Sequence, residues 1–271
     1  MNAFIQHFSF EFRTGVRNKN LLLLNYLFPL GFYLMMGFVM VGINPLFQKD
    51  LIPAMVVFAV LAATLLGIPD PIVTARENGI FRSYKINGVP ALSILVIPAI
   101  TTIMHLIIVT IIIVVSAPLL FDAPMPVNWA YFTVTFLALA FACSGIAILI
   151  GVISASSRVT VLYSQLVFLP SMLLGGLMIP YSMLPTAAAQ ASQLLPATHA
   201  MNAMRGMVMG GSADFNVWIS IAVLAMSGIM AYGLSLYLFS WDRHNSAGRG
   251  HPALALLALV PYFVGIILTL S

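Results

Sequence analysis

Apolar residues run along this chain in long blocks at 21–43, 51–69, 90–117, 129–153, 159–179 and 217–240, with short polar stretches between them. A helix needs about 20 such residues to cross the hydrocarbon core of a bilayer. The pattern therefore predicts six spanning helices. A further run at 253–270 is slightly short and contains Pro261. It is apolar on every face, which favours insertion over lying flat among headgroups. Six spans return the C-terminus to its starting side, and a seventh would carry Ser271 across.

The gap between the fifth and sixth blocks is unlike an aqueous loop. Residues 181–209 stay largely apolar, while Pro180, Pro185 and Pro196 prevent one continuous helix. Irregular backbone survives at membrane depth only where protein or a watered cavity satisfies its polar groups. The expectation is a segment that dips into the outer leaflet and returns, bordering a pathway.

Two other stretches carry amphipathic patterns. Phe4, Phe8 and Phe12 recur every four residues before the first span and predict an interfacial helix. Between the second and third spans, Val73 to Lys85 predicts a short amphipathic helix, ended by Gly88-Val89-Pro90. Ile80 and Tyr84 would share one face, with Arg82 and Lys85 pointing elsewhere. Arg76 and Glu77 are neighbours and so cannot face each other on a helix. They are placed for two different partners. A solvated loop is the plain alternative for this stretch.

Composition agrees with the pattern: 61% of residues are hydrophobic and 7% charged, against about 25% charged in soluble domains. The chain reads as an all-α polytopic membrane protein. Its charge of +4 does not point to nucleic acid, because the basic residues sit in short clusters between apolar blocks. With the N-terminus cytoplasmic, nine of the eleven Lys and Arg residues fall inside, leaving only Lys49 and Arg205 outside. No small-residue cleavage site follows the first block, so it reads as a span and not a signal peptide. Cys143 is the single cysteine, which excludes an intrachain disulfide, and neither it nor the histidines show metal-ligand spacing.

Small residues recur four apart as Cys143, Ala147 and Gly151 in the fourth span and Ser227, Ala231 and Ser235 in the sixth. Such stripes let helices approach closely in lipid, and packing within the chain is the simpler reading over an oligomer contact. His105 is the main ionisable residue inside a span. An intramembrane histidine is a functional candidate by default, yet no span holds a carboxylate to pair with it. An imidazole bonded to a backbone carbonyl explains it more simply. In the proline-broken segment with His199, Arg205 could snorkel to headgroups, bond free carbonyls of the broken helix, or meet an anionic substrate, with Asp214 a candidate partner. Anchoring is the preferred role.

Enzyme signals are missing. There is no nucleophile motif, no His-Glu-x-x-His and no Gly-Lys-Ser/Thr phosphate loop. A chain without that loop cannot hydrolyse a nucleotide by its mechanism, so any ATP-driven work requires another polypeptide.

Taken together, Arg76-Glu77, Gly79-Ile80-Phe81-Arg82, Tyr84 and Gly88-Val89-Pro90, followed by Gly175-Gly176, Pro180, Leu184-Pro185, Pro196 and Arg205-Gly206, resemble the permease subunits of ABC-2 type exporters. Phe28-Pro29-Leu30 is similar to the drug-exporter branch. The resemblance covers about residues 5–243 and is most specific after the fifth span. It implies a six-helix transmembrane domain over 1–245, with 246–271 as an apolar extension beyond the usual end at Trp241-Asp242-Arg243. It also implies a second permease subunit, identical or different, and two cytoplasmic ATPase subunits that hold the ATP and magnesium. Arg76, Glu77, Gly79, Ile80, Phe81, Arg82 and Tyr84 would couple to the ATPase. Gly175, Gly176, Pro180, Leu184, Pro185, Pro196 and Arg205 would shape the re-entrant outer segment. The implied chain is non-catalytic, sits in the cell membrane among lipid, and exports amphipathic drug-, antibiotic- or lipid-like molecules. The competing readings are an ATP-independent carrier, which predicts a charged midplane site, and an accessory membrane protein, which needs no docking element.

Overall fold

The computed structural model describes residues 19–241 and 250–270. The expected interfacial helix around Phe4 to Phe12 lies outside them, as do Arg243 and Arg249. Among the described residues there is no strand, and seven helices are long and apolar enough to cross a membrane. They are α1 (Lys19–Ile43), α2 (Phe47–Glu77), α4 (Ala91–Phe121), α5 (Trp129–Ile153), α6 (Ser157–Leu174), α9 (Val217–Leu238) and α10 (Pro252–Thr269). Three short helices complete the set: α3 (Ile80–Ile86), α7 (Thr186–Ser192) and α8 (Pro196–Ala203).

The contacts fix which ends lie together. The start of α4, at Ile94, shares a pocket with Leu21 and Phe81, and Phe81 stacks near Phe239 just beyond α9. These form one end of the bundle, named here for Arg76. At the other end, Arg205 meets Asp50 at the start of α2 and Gly176 after α6. Gly250 lies against Leu238 and Thr269 bonds Gln193, so α10 runs antiparallel to α9 and finishes at the Arg205 end.

Helix α2 forms the centre. Every residue from Leu51 to Leu65 is buried, because its sequence is apolar all round and offers no polar stripe to send outward. The small-residue stripes lie inside the same molecule. Cys143, Ala147, Ser227, Ala231 and Ser235 are all fully buried, and a Cβ on Gly151 would meet the Pro69 carbonyl and the Ile72 side chain. Small side chains here let α5 close against α2 and α9, where dispersion drives association.

Several expectations are corrected. The second span does not end at residue 69, since helix resumes at Pro69 and continues to Glu77 with Ile72 and Val73 buried. The single helix expected over 73–85 is two pieces broken at Asn78-Gly79. Gly79 has φ 71°, a left-handed conformation that favours glycine, and its N–H and that of Asn78 bond back to Arg76 and Thr74 carbonyls. His105 Nδ1 has a side-chain neighbour that the sequence did not suggest, the Tyr26 hydroxyl of α1 at 2.7 Å. The terminal run, expected to insert, is one of the seven helices long and apolar enough to cross a membrane, and it packs onto the bundle. Tyr262 is buried against His199, and Ala258 sits with Leu149 and Ala231.

Candidate functional site

At the first end, Arg76 and Phe81 point into the protein while their neighbours point out. Helix α5 ends at Ile153, and its last carbonyls lack helical donors, as at every helix C-terminus. The Arg76 guanidinium supplies them, donating to the Val152 carbonyl at 2.7 Å and to the Ser154 carbonyl. A cation at this position also complements the helix dipole. One turn on, Phe81 is 3% exposed and its ring packs 5.5 Å from Phe239 and 6.5 Å from Tyr84.

With those two side chains as feet, α3 presents a ridge. Glu77, Ile80, Arg82, Lys85 and Ile86 are exposed, Ile86 by 85%, and Tyr84 is half-buried. The Val89 N–H bonds the Tyr84 carbonyl and the Gly88 N–H that of Lys85, with Gly88 at φ 69°. That closure stops α3, and Pro90 then starts α4.

The second end is a set of short pieces held by one arginine. Helix α6 stops at Gly175-Gly176. A Cβ on Gly175 would collide with the Ser171 carbonyl and the Ala197 methyl, and Gly176 has φ 85°. Pro180 precedes a single turn at Tyr181–Met183, Leu184-Pro185 leads into α7, and Pro196 opens α8. All eight residues of α8 are buried. Arg205 follows in a wide helical turn, Met204–Val208. Its guanidinium donates to both oxygens of Asp50, Nε to Oδ1 at 3.1 Å and Nη2 to Oδ2 at 2.9 Å, and to the Gly176 carbonyl at 3.1 Å. Asp214 stands 3.9 Å away. Arg205 thus binds a freed carbonyl of the broken segment, while its main carboxylate partner is Asp50.

Asn202 is the second organiser, and sequence reasoning missed it. Its Nδ2 donates to the Phe215 carbonyl and Ser220 Oγ, and its Oδ1 accepts from the N–H groups of Asp214 and Phe215. Beside it, Thr198 Oγ1 donates to the Ser192 carbonyl and His199 Nε2 lies 2.8 Å from that of Gln193. Burial pushes the Asp214 carboxyl above the usual carboxylate range, the Arg205 charge pulls it down less, and the Asp50 charge adds to the rise. Between Lys49, Asp50, Arg205 and Asp214 on one side and Pro124 and Met125 on the other lies an open cavity of about 480 Å³.

The predicted residues therefore fall into two groups at opposite ends. Arg76 and Glu77 at the end of α2, Gly79 at the break, and Ile80, Phe81, Arg82 and Tyr84 of α3 come together around one turn. Gly175, Gly176, Pro196 and Arg205 converge on one cluster, with Pro180, Leu184 and Pro185 in the connection between α6 and α7. Among the described residues no group of three or more His, Cys, Asp or Glu could hold a metal.

The structure is that of a helical, multi-pass membrane protein with an exposed ridge of mixed charge at one end and a set of short pieces tied by Arg205 at the other. The chain belongs to the ABC-2 type transporter family, whose model matches residues 3–209. Comparison with curated proteins and with solved structures gives no match. The family supplies the permease of an ABC transporter and implies an ABC ATPase subunit as partner. The matched region ends at Met209, before α9 and α10.

Proposed function

We propose that this chain is the permease subunit of an ATP-driven exporter and that the ridge of α3 seats in an ATPase subunit. The carrying observation is the division of labour around Gly79. Arg76 and Phe81 root the element in the bundle, and Glu77, Ile80 and Arg82 are exposed. Rooting of this kind would transmit a push on the ridge to α2 and α5 without loss in a floppy loop. Two ATPases, each carrying ATP and magnesium, would close on a pair of permeases, a homodimer or a heterodimer, and drive their ridges together.

On this reading residues 1–245 are the transport domain and 246–271 an extension, non-catalytic throughout. The Arg76 end and the N-terminus face the cytoplasm, as the bias of basic residues supports. The Arg205 end then forms the outer cap, with α7 and α8 as its re-entrant pair, in a cell membrane. The cargo is amphipathic and drug-, antibiotic- or lipid-like, because the interior of the spans carries no fixed charge to coordinate small ions.

Affinity capture of tagged chain from native membranes, followed by an ATPase assay, tests the reading. A nucleotide-hydrolysing subunit should co-purify and be lost or uncoupled with Glu77→Ala. A well-folded chain that captures no ATPase would shift the assignment to an ATP-independent carrier or an accessory protein.

A further inference from the structure

A second pocket, of about 230 Å³, opens among α1, the lower part of α2, α3 and α4. Its α3 wall is the inner side of the ridge, and the rest of its lining has been assigned no role so far. Its lining contains no Asp, Glu, Lys or Arg. Hydrogen-bonding groups nevertheless converge on it from two helices: Asn25 of α1 and Thr101, Thr102 and His105 of α4 are all buried and all line it.

Three departures from regular helix meet at this pocket. Asn25 lies within the wide turn Leu23–Leu27 of α1. A second wide turn, Ala62–Leu66, ends at Gly67, where an added Cβ would stand 3.7 Å from Asn25 Oδ1. In α4, Pro98 lacks an N–H, so the Ile94 carbonyl loses its usual helical donor. Wide turns of this type are frequent at functional sites. Inside a bilayer, loosened backbone persists where it is buried or faces a cavity. Three such places around one uncharged pocket point to a ligand-binding cavity in preference to a packing fault.

We propose that this pocket binds a small uncharged amphiphile, an apolar body with a hydroxyl or amide head, and that α3 senses its occupancy. The volume is below the about 300 Å³ lower bound of drug-sized pockets, so the ligand is fragment-sized. The absence of charge excludes anions and cations, and the amide, hydroxyl and imidazole groups select a neutral polar head. Ile80, Phe81 and Tyr84 of α3 form one wall, and Phe81 is the foot of the exposed ridge. A filled pocket therefore braces the ridge from behind. This sensing half rests on the reading that the ridge docks an ATPase, whereas the binding half does not.

The test is photolabelling of the purified full chain in lipid nanodiscs with a diazirine-bearing medium-chain alcohol, the sites being mapped by peptide mass spectrometry. Label should appear on the α1, α3 and α4 segments that line the pocket and be competed by unlabelled alcohol. It should be lost in Thr102→Phe, which fills the cavity, and kept in Ile111→Phe, which changes an exposed position of the same helix. Ala75→Leu fills the pocket from α2 and substitutes if Thr102→Phe does not fold. Label confined to lipid-facing positions, or unchanged in both filling variants, overturns the site. In the assembled complex the alcohol should change the ATPase rate, and Thr102→Phe should abolish the change. An unaltered rate in a labelled complex overturns the sensing half. Failure to capture any ATPase strikes the exporter reading alone and leaves the labelling result standing.

Discussion

Both ends of the bundle are organised by an arginine, and the two use it in opposite ways. Arg76 donates to main-chain carbonyls at the end of α5 and leaves its acidic neighbour Glu77 exposed. Arg205 grips a carboxylate from the start of α2 with two hydrogen bonds and adds a carbonyl after α6. The first arrangement fixes a base beneath exposed side chains. The second gathers three distant pieces of chain and draws the charge inward. One end leaves a charged surface open and the other ties its pieces together.

The sharpest break of that contrast is Arg205→Ala. It strands the partly buried Asp50, and losing one member of such a pair costs about 3 kcal/mol. A large fall in the melting temperature of the purified protein should follow, with Asp50→Asn close behind. If the two effects simply add in the double variant, the pair is not the latch described here. Removing α10 should loosen the same end. Truncation after Asn245 uncovers His199 and Gln193, and Tyr262→Ala alone should cost about 3 kcal/mol as a buried aromatic truncation. Limited proteolysis should then cut within residues 181–209. Preserved melting and transport in the truncated chain would instead make 246–271 an appendage.

At the other end Arg76→Ala should cost about 2 kcal/mol, the value of hydrogen bonds from a charged donor. It should weaken ATPase capture only through the loosened base. Glu77→Ala inverts the balance, with stability changed by less than about 0.5 kcal/mol and coupling lost. If Glu77→Ala melts like Arg76→Ala, the two residues do not divide their work as described.

The smallest effect is at Asp214. Its carboxyl is raised by burial, so the folded state favours the neutral form. That contribution is fully present below the unfolded value and is lost as pH rises through the folded one. Asp214→Asn should therefore leave melting unchanged or raised at neutral pH, the advantage vanishing in acid. A loss like that of Asp50→Asn would make Asp214 an equal partner of Arg205.

Much of the fold was legible because spans announce themselves by length alone. The starts and ends of α4, α5 and α9 fall close to the expected limits. The run from Asp70 to Glu77 misled because its charges look aqueous, while Ile72, Val73 and Arg76 share an inward face that only α5 makes meaningful. Asn78-Gly79 was a visible turn signal within the stretch read as one helix. The prolines and glycines of the cap were legible as local grammar. Asp50 was not, since it lies 155 residues from Arg205 and nothing in a single sequence links them. Asn202 offered no signal either, being one amide in an apolar run.

Because α10 ends against His199 and Gln193, a helix made after α9 completes the packing of the Arg205 end. Chains fold from the N-terminus as they are made, so α8 stays partly uncovered until Tyr262 and Thr269 have been synthesised. A nascent chain stopped before α10 would hold its earlier long helices with His199 still lacking its Tyr262 neighbour. The order of synthesis thus sets the order in which the Arg205 end can be packed.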